Sequence, residues 1–299
     1  VDETDLLSSS VLISSTATTG PAIPAGLATA LNTALSIAQT GTNDGSIAWD
    51  FTVANSLTQY LADGETVTAT YTITVNDDSG TGTDTETQDV TVVITGTNDS
   101  PIITGGPDAA SLTETNAGLS GTETLTVSDA DTTDIVTATV DSVSVSGTGT
   151  GSVPGSLDNA TLQSFLSVSP TAILGAADNS AALTWNFNSG GEAFDFLATG
   201  QTLVLTYVVS ATDDNGTPLG DTETVTITIT GTNDGPQATN LSAAETYTED
   251  TPLNLTDIVI SDIDHGDLTV TLTLSDIAAG ALSTGTSGSV TSTFVGGVW

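Results

Sequence analysis

The sequence predicts an all-β chain of tandem antiparallel β-sandwiches in a linear array. Three observations carry that expectation. Apolar residues alternate with Thr and Asn at period two in paired runs, the runs recur one domain length later, and Gly, Asn, Asp and Pro punctuate them. Repetition is plainest in TGTNDSP, Thr95 to Pro101, which returns as TGTNDGP, Thr230 to Pro236. Gly231 follows Gly96 by 135 residues, Tyr207 follows Tyr71 by 136, and Trp185 follows Trp49 by 136. A unit is therefore about one domain long.

Taken in chain order, the Leu- and Ala-rich stretch Ala25 to Ala38 is expected to form a helical turn or short helix within a connection. Trp49 and Phe51, with Tyr71, supply the aromatic bulk that usually anchors a core. Val67, Ala69, Tyr71, Ile73 and Val75 alternate with polar residues, as do Val90, Val92 and Ile94, which predicts two half-buried strands before the first Asn-Asp tract. The second unit offers strands at Thr122 to Val127, Ile135 to Val145 and Leu183 to Phe187, with a second short helix near Ala160 to Leu166. It closes on Leu203, Leu205, Tyr207 and Val209, then Val225, Ile227 and Ile229. Trp185, Phe187 and Tyr207 repeat the aromatic core set, and a last strand group is expected from Leu268 to Leu274. Short strands in this number, with turn residues between them, predict two packed sheets per unit. β-branched Thr on the wet faces favours extended backbone without adding charge.

Phase at the two ends divides the chain into residues 1–98, a sandwich lacking its first strands; 99–235, a complete one; and 236–299, the first half of a divergent third. Asp2 and Asp5 then align with Asp131 and Asp134. With no Met, the sequence is expected to be a window on a longer polypeptide. The sharper alternative is a protomer whose trailing half-sandwich completes the leading half of the next molecule, building a filament from its exposed strand edges.

Composition limits function. The chain has 37 acidic residues and no Lys or Arg, a formal charge of -37, so nucleic acid and anionic lipid are excluded as partners. Hydrophobic content of 37% argues against a disordered acidic tail. No apolar run reaches the roughly 18 residues of a membrane span, and no segment resembles a signal peptide. Absence of Cys removes disulfides and thiolate zinc sites, and absence of Lys removes Schiff bases. Such a charge suits an ion-rich exterior, where salt screens it or ions bind. A chain without Lys or Arg is also refractory to trypsin.

The acids cluster. SDADTTD carries Asp129, Asp131 and Asp134; SATDDNGTP carries Asp213 and Asp214; LTET carries Glu114; and the linkers carry Asn98 with Asp99 and Asn233 with Asp234. In a sandwich, alternate loops fall at one end, so the 129–134 and 213–215 loops face the preceding linker. LADGE, with Asp63 and Glu65, faces that linker from the other side. Unit charges about 4 Å apart repel by on the order of 4 kcal/mol at an effective dielectric near 20, and no basic side chain offsets it. A divalent cation is required, and hard oxygen ligands in flexible geometry suit calcium over magnesium. The competing reading is that these acids merely solvate loops and turns, where Asp and Asn are common.

At this point the residues resemble a known family. LATGQTLVLTYVVSATDDNGTPLGDTETVTITITGTNDGP, Leu197 to Pro236, looks like the closing half of a cadherin repeat, with its A-x-D-x-G-x-P loop and Asn-Asp linker. Closer still is the VCBS or cadherin-like repeat of giant type I-secreted (RTX-type) bacterial adhesins. YTEDTPLNLTDIVISDIDHGDLTVTLTLSD extends the likeness into residues 237–299. The resemblance implies immunoglobulin/cadherin-like sandwiches, calcium-rigidified linkers and an extracellular role in cell adhesion or biofilm matrix. Its partners would be neighbouring repeats of the same chain. Carried over by motif, the first junction would use Asp63, Glu65, Asn98, Asp99, Asp129, Asp131 and Asp213. The second would use Glu114, Asn233, Asp234, Asp262 and Asp264. Gln201 stands where LADGE has Glu65, so fewer or weaker ions are expected at the second junction.

Other functions find less support. Asp262 to Asp267 is not an EF-hand, since Thr273 stands at the twelfth position, and glycine-rich calcium nonapeptides are absent. His265 is the lone imidazole and reads as a surface loop residue, which leaves no catalytic residues to name and predicts a non-enzyme. Paired carboxylates can serve glycoside hydrolysis, but here they track repeat boundaries. A carbohydrate-binding module would need an exposed aromatic cluster, and none is evident. Asn215-Gly-Thr, Asn240-Leu-Ser and Asn254-Leu-Thr fit the glycosylation pattern.

Overall fold

The computed structural model describes residues 8–40, 46–77, 85–175, 177–241, 244–246, 248–251, 258–265 and 268–271. Asp2 and Asp5 lie outside the described residues.

In the first two repeats the runs of period-two alternation become strands. In the first repeat the order is β1 (Ser8–Thr18), α1 (Ala25–Ala34), β2 (Leu35–Thr40), β3 (Ser46–Phe51), β4 (Thr66–Asn76) and β5 (Thr85–Thr95). One sheet runs β1-β4-β5 and a second pairs β2 with β3. The helix is shorter than the Ala25–Ala38 stretch: Leu27, Leu31 and Ala34 bury one helical face, and from Leu35 the chain turns extended against β3. Thr52 donates its amide to the Ala34 carbonyl at 2.9 Å, so the strand after the helix replaces the next helical turn.

The second repeat comprises β6 (Ile102–Thr104), β7 (Asp108–Thr113), β8 (Ser120–Ser128), β9 (Val136–Ser146), α2 (Asn159–Ser164), β10 (Leu166–Ser169), β11 (Ala172–Leu174), β12 (Ser180–Asn188), β13 (Thr202–Thr212) and β14 (Gly220–Thr230). It folds as a two-sheet β-sandwich: β10-β12-β8-β6 packs on β11-β9-β13-β14-β7. All pairs are antiparallel except β7 with β14, because the chain between β6 and β7 crosses from one sheet to the other. Asp158 caps α2, its side chain accepting from the Thr161 amide at 2.8 Å. Beyond the second linker, β15 (Gln237–Thr239) pairs with β16 (Val259–Ser261). Residues 268–271 of the expected Leu268–Leu274 group carry no strand, and 272–274 lie outside the described residues.

Buried side chains form two groups, one per repeat. In the second, Trp185, Phe187 and Tyr207 are fully buried, and Trp185 Nε1 donates to Asp108 Oδ2 at 2.7 Å. Both repeats use one device to hold the connecting helix. Tyr71 Oη donates to the Leu31 carbonyl at 2.8 Å, and Tyr207 Oη to the Leu162 carbonyl at 2.9 Å. The helix carbonyls thus gain partners that a short helix cannot supply itself.

Trp49 departs from the expectation that it is core. It is 50% exposed, while Phe51 is partly buried against the first group. The reason is coverage. Trp185 lies on β12 between β10 and β8, whereas β3 has only β2 beside it among the described residues.

The repeated tract owes its glycine to a close approach. A Cβ on Gly96 would lie 2.2 Å from the Leu61 carbonyl oxygen, and one on Gly231 2.2 Å from that of Leu197. Gly96 donates its amide to the Glu65 carbonyl at 2.8 Å, as Gly231 does to Gln201 at 2.9 Å. Each linker is therefore locked onto the LADGE or LATGQ turn, which delivers the following Asn-Asp pair to a fixed place.

Candidate metal centres at the repeat junctions

Three chain segments meet at the first junction. The β8–β9 loop brings Asp129, Asp131 and Asp134, the β13–β14 loop brings Asp213, Asp214 and Asn215, and the linker threads between them. Asp99 donates its amide to Asp131 Oδ2 at 2.7 Å. Asn98 Nδ2 donates to Asp213 Oδ2 at 3.1 Å, and Asn215 Nδ2 returns a bond to Asn98 Oδ1 at 3.1 Å. Asp129, Asp134 and Asp213, all buried, each offer an oxygen within 4.8 Å of the others. From the preceding repeat, Gln59 Nε2 donates to Asp99 Oδ2 at 2.9 Å, and Glu65 Oε1 accepts from Thr133 Oγ1 at 3.0 Å. Asp63 is exposed on its turn and makes none of these contacts.

Electrostatics at this cluster are unfavourable. Burial pushes the Asp131 carboxyl up to about 7 against the opposing Asp99 amide, with Asp134, Asp99 and Asp129 adding repulsion. Burial likewise pushes Asp129 up to about 6, helped by Asp134, Asp213 and Asp99. Asp134 rises for the same first cause, with Asp213, Asp214 and Glu65 contributing.

At the second junction, Glu114, Asp195 and Asp234 each offer an oxygen within 4.8 Å of the others. Glu114 Oε2 accepts from the Thr232 amide and hydroxyl at 2.8 and 2.7 Å, which ties the end of β7 to the linker. Asn116 Nδ2 donates to Asp234 Oδ1 at 2.8 Å. Asp234 donates its amide to Asp264 Oδ2 at 3.2 Å, the counterpart of the bond from Asp99 to Asp131. Asp262 Oδ1 accepts from the Asp264 amide at 3.3 Å. Asn233 is exposed and, among the described residues, donates to the neighbouring Asp234 carbonyl at 2.7 Å, which does not repeat the grip of Asn98.

Sequence reasoning passed over Asp195. It stands 136 residues after Gln59, so its counterpart in the other repeat is an amide and the comparison of units shows no shared acid. Asp195 rises through burial first, then Asp234, Glu114 and Glu192. Asp134 was visible in SDADTTD, yet only the packed loop sets it beside Asp129 and Asp213.

Five carboxylate oxygens of these residues are buried with no hydrogen-bond partner: Glu114 Oε1, Asp129 Oδ2, Asp131 Oδ1, Asp195 Oδ1 and Asp234 Oδ2. Buried polar atoms are almost always paired, and leaving a charged one unpaired costs several kcal/mol. With no Lys or Arg in the sequence, no side-chain ammonium or guanidinium can satisfy them. The oxygen-rich donor sets fit a hard divalent cation.

No protein-family model and no curated protein matches the chain. Among solved structures it is similar to human CDH23 EC21-23, at 16% identity and TM-score 0.40, over 88% of this chain and 71% of that one. It is similar to mouse cadherin-23 EC22-24 at 16% identity and TM-score 0.36, over 87% of this chain and 66% of that one. It is also similar to the protocadherin gamma B2 extracellular cadherin domains 3-6 at 13% identity and TM-score 0.34, over 86% of this chain and 52% of that one. The chain thus spans about half the length of that stretch of protocadherin domains 3-6. The fold is all-β, and the second repeat is a two-sheet β-sandwich whose first strand crosses between the sheets. Among the described residues, no helix is long and apolar enough to cross a membrane.

Proposed function

We propose that this chain is a structural spacer of an extracellular adhesion protein, in which calcium binds the acidic clusters between successive sandwiches and stiffens the array. Residues 1–98, 99–235 and 236–299 would belong to three such sandwiches. The observation that carries this is the set of five buried, unpartnered carboxylate oxygens, all confined to the two junctions.

Glu65, Asn98, Asp99, Asp129, Asp131, Asp134 and Asp213 would hold ions at the first junction, and Glu114, Asp195, Asp234, Asp262 and Asp264 at the second. Asp63 and Asn233, both exposed, would act at most through water. Calcium supplies positive charge that these loops lack, and the chain's own work is to hold the oxygens convergent. Because the loops converge only in the folded chain, ion binding adds to folding stability. The resemblance to VCBS repeats supports a secreted bacterial surface adhesin or biofilm-matrix protein as the parent molecule.

The test is calcium titration with two readouts, the melting temperature and the maximum dimension in X-ray scattering. Chelation should lower both, and an unchanged pair would sink the calcium-linked role.

A second reading is a protomer that polymerises by strand complementation between molecules. The exposure of Trp49 on β3, which among the described residues pairs with β2 alone, favours it. Electron microscopy separates the two: discrete short rods support the spacer, endless threads the filament.

A further inference from the structure

We infer that Asn215 is a self-modification site: the Gly216 amide closes on the Asn215 side chain, and the ring then opens to leave a new carboxylate at the first junction. The chemistry needs no ion, so it stands apart from the spacer reading. Asn215-Gly216 is the sole Asn-Gly pair in the sequence, and it lies on the β13–β14 loop that grips the first linker.

Ring closure requires a main-chain nitrogen beside a side-chain amide carbon, with nothing in the way. Gly216 N donates to Asn215 Oδ1 at 2.8 Å. Cγ is one C=O bond of about 1.2 Å from that oxygen, so the two reacting atoms are no more than about 4 Å apart. The fold holds this pose from both ends. Asn215 donates its own amide to Asp213 Oδ1 at 3.2 Å and its Nδ2 to Asn98 Oδ1 at 3.1 Å. Fixing the reacting groups removes an entropic barrier that a free chain meets. Gly216 is exposed, and a Cβ built on it meets nothing within 4 Å, so base from solvent reaches its N–H. At other asparagines the following amide is engaged elsewhere. Asn188 precedes Ser189, whose amide donates to the Leu119 carbonyl at 3.0 Å, and Asn98 precedes Asp99, whose amide donates to Asp131 Oδ2 at 2.7 Å.

The step balances with water as the only co-reactant. Gly216 N bonds to Cγ, the Cγ–Nδ2 bond breaks, and ammonia departs carrying the proton that Gly216 N gives up. Water then opens the cyclic imide at Cγ, giving aspartate, or at the main-chain carbonyl, giving isoaspartate. Either product loses the Nδ2 donor that Asn98 and, at 3.5 Å, Asp134 Oδ2 accept from. Either also adds a negative charge to a junction that already gathers Asp134, Asp213 and Asp214, where like charges repel. The modified junction is therefore weaker without metal, and the chain changes with age.

The 299-residue chain is incubated in warm, mildly alkaline buffer made with heavy-oxygen water, and its chymotryptic peptides are read by tandem mass spectrometry. Expected is heavy oxygen at residue 215, gained no more slowly than in the free peptide 208–219, with Asn188 left as the amide. Gly216→Val, at a position with room for a side chain, should slow labelling by at least about tenfold, because a β-branched neighbour crowds the attack. No label at Asn215, slower labelling than in the peptide, equal labelling of Asn188, or an equal rate in Gly216→Val would overturn the site. Asn215→Asp, the aspartyl product, should melt below wild type in chelator, and an equal or higher melting temperature would overturn the consequence for the junction. If calcium raises the melting temperature of neither chain while Asn215 is labelled, the spacer falls and the modification stands.

Discussion

Replacing Asp131 by Asn keeps the side-chain shape and removes one buried charge, so its effect on stability should depend on whether calcium is present. Asp131 Oδ2 accepts from the Asp99 amide at 2.7 Å, a bond that an Asn carbonyl retains. Without metal, the native chain holds this carboxyl near 7 instead of its ordinary 3.8. That difference corresponds to about 4 kcal/mol unscreened, and solvent screening around a loop cluster reduces it to on the order of 1–2 kcal/mol. In chelator at pH 7.5 the Asp131→Asn chain should therefore melt about 2–8 °C higher than wild type. Adding calcium should then raise it by less than it raises wild type. A tenfold loss of affinity trims that increment by about 1.4 kcal/mol. Thermal melts of both chains with and without calcium give the four numbers needed. A lower melting temperature for Asp131→Asn in chelator, or an undiminished calcium increment, would refute the reasoning, because the first means that Asp131 is not strained without metal and the second that it is not a ligand with it.

Three further outcomes are expected. In chelator, stability should fall as pH rises from about 4 to 7: Asp129 and Asp131 hold protons more tightly in the native chain than unfolded, so their contribution is complete below about 4 and lost through 6–7. A pH series of melts checks it, and a rise over that window would contradict it. Gly231→Ala places a methyl 2.2 Å from the Leu197 carbonyl oxygen and 2.6 Å from that of Ala198. It should cost about 1–3 kcal/mol in denaturant unfolding and weaken calcium at the second junction more than at the first. Tyr207→Phe removes the bond to the Leu162 carbonyl and should cost about 1–3 kcal/mol, measurable as a lower denaturant midpoint with an unchanged slope.

Some of this protein could be read from residue order alone, because the relevant signals are local. Alternation in Val67 to Val75 and Leu203 to Val209 located β4 and β13, since pleated backbone sends successive side chains to opposite faces. Recurrence of TGTND marked the repeat, and a chain without Lys or Arg has no such side chain to offset its clustered carboxylates. Placing the 129–134 and 213–215 loops against one linker followed from alternate connections falling at the same end of a sandwich. Helix length, by contrast, depended on a neighbour: Leu35 and Ile37 have helical spacing from Leu31 and Ala34, yet pairing with β3 drew them into a strand.

Only tertiary structure decided which acids matter. Asp63 and Glu65 sit two residues apart in one turn, but Glu65 reaches across to Thr133 while Asp63 points to solvent. Trp49 and Trp185 occupy equivalent positions, and strand coverage alone leaves one half exposed and the other buried. Asp195 has no acidic twin in the first repeat, so its place beside Glu114 and Asp234 exists only in the packed molecule. The physical reason is common to all three. Strand propensity is a property of a few consecutive residues, whereas a carboxylate becomes desolvated, strained and fit to hold a cation only when distant loops close over it.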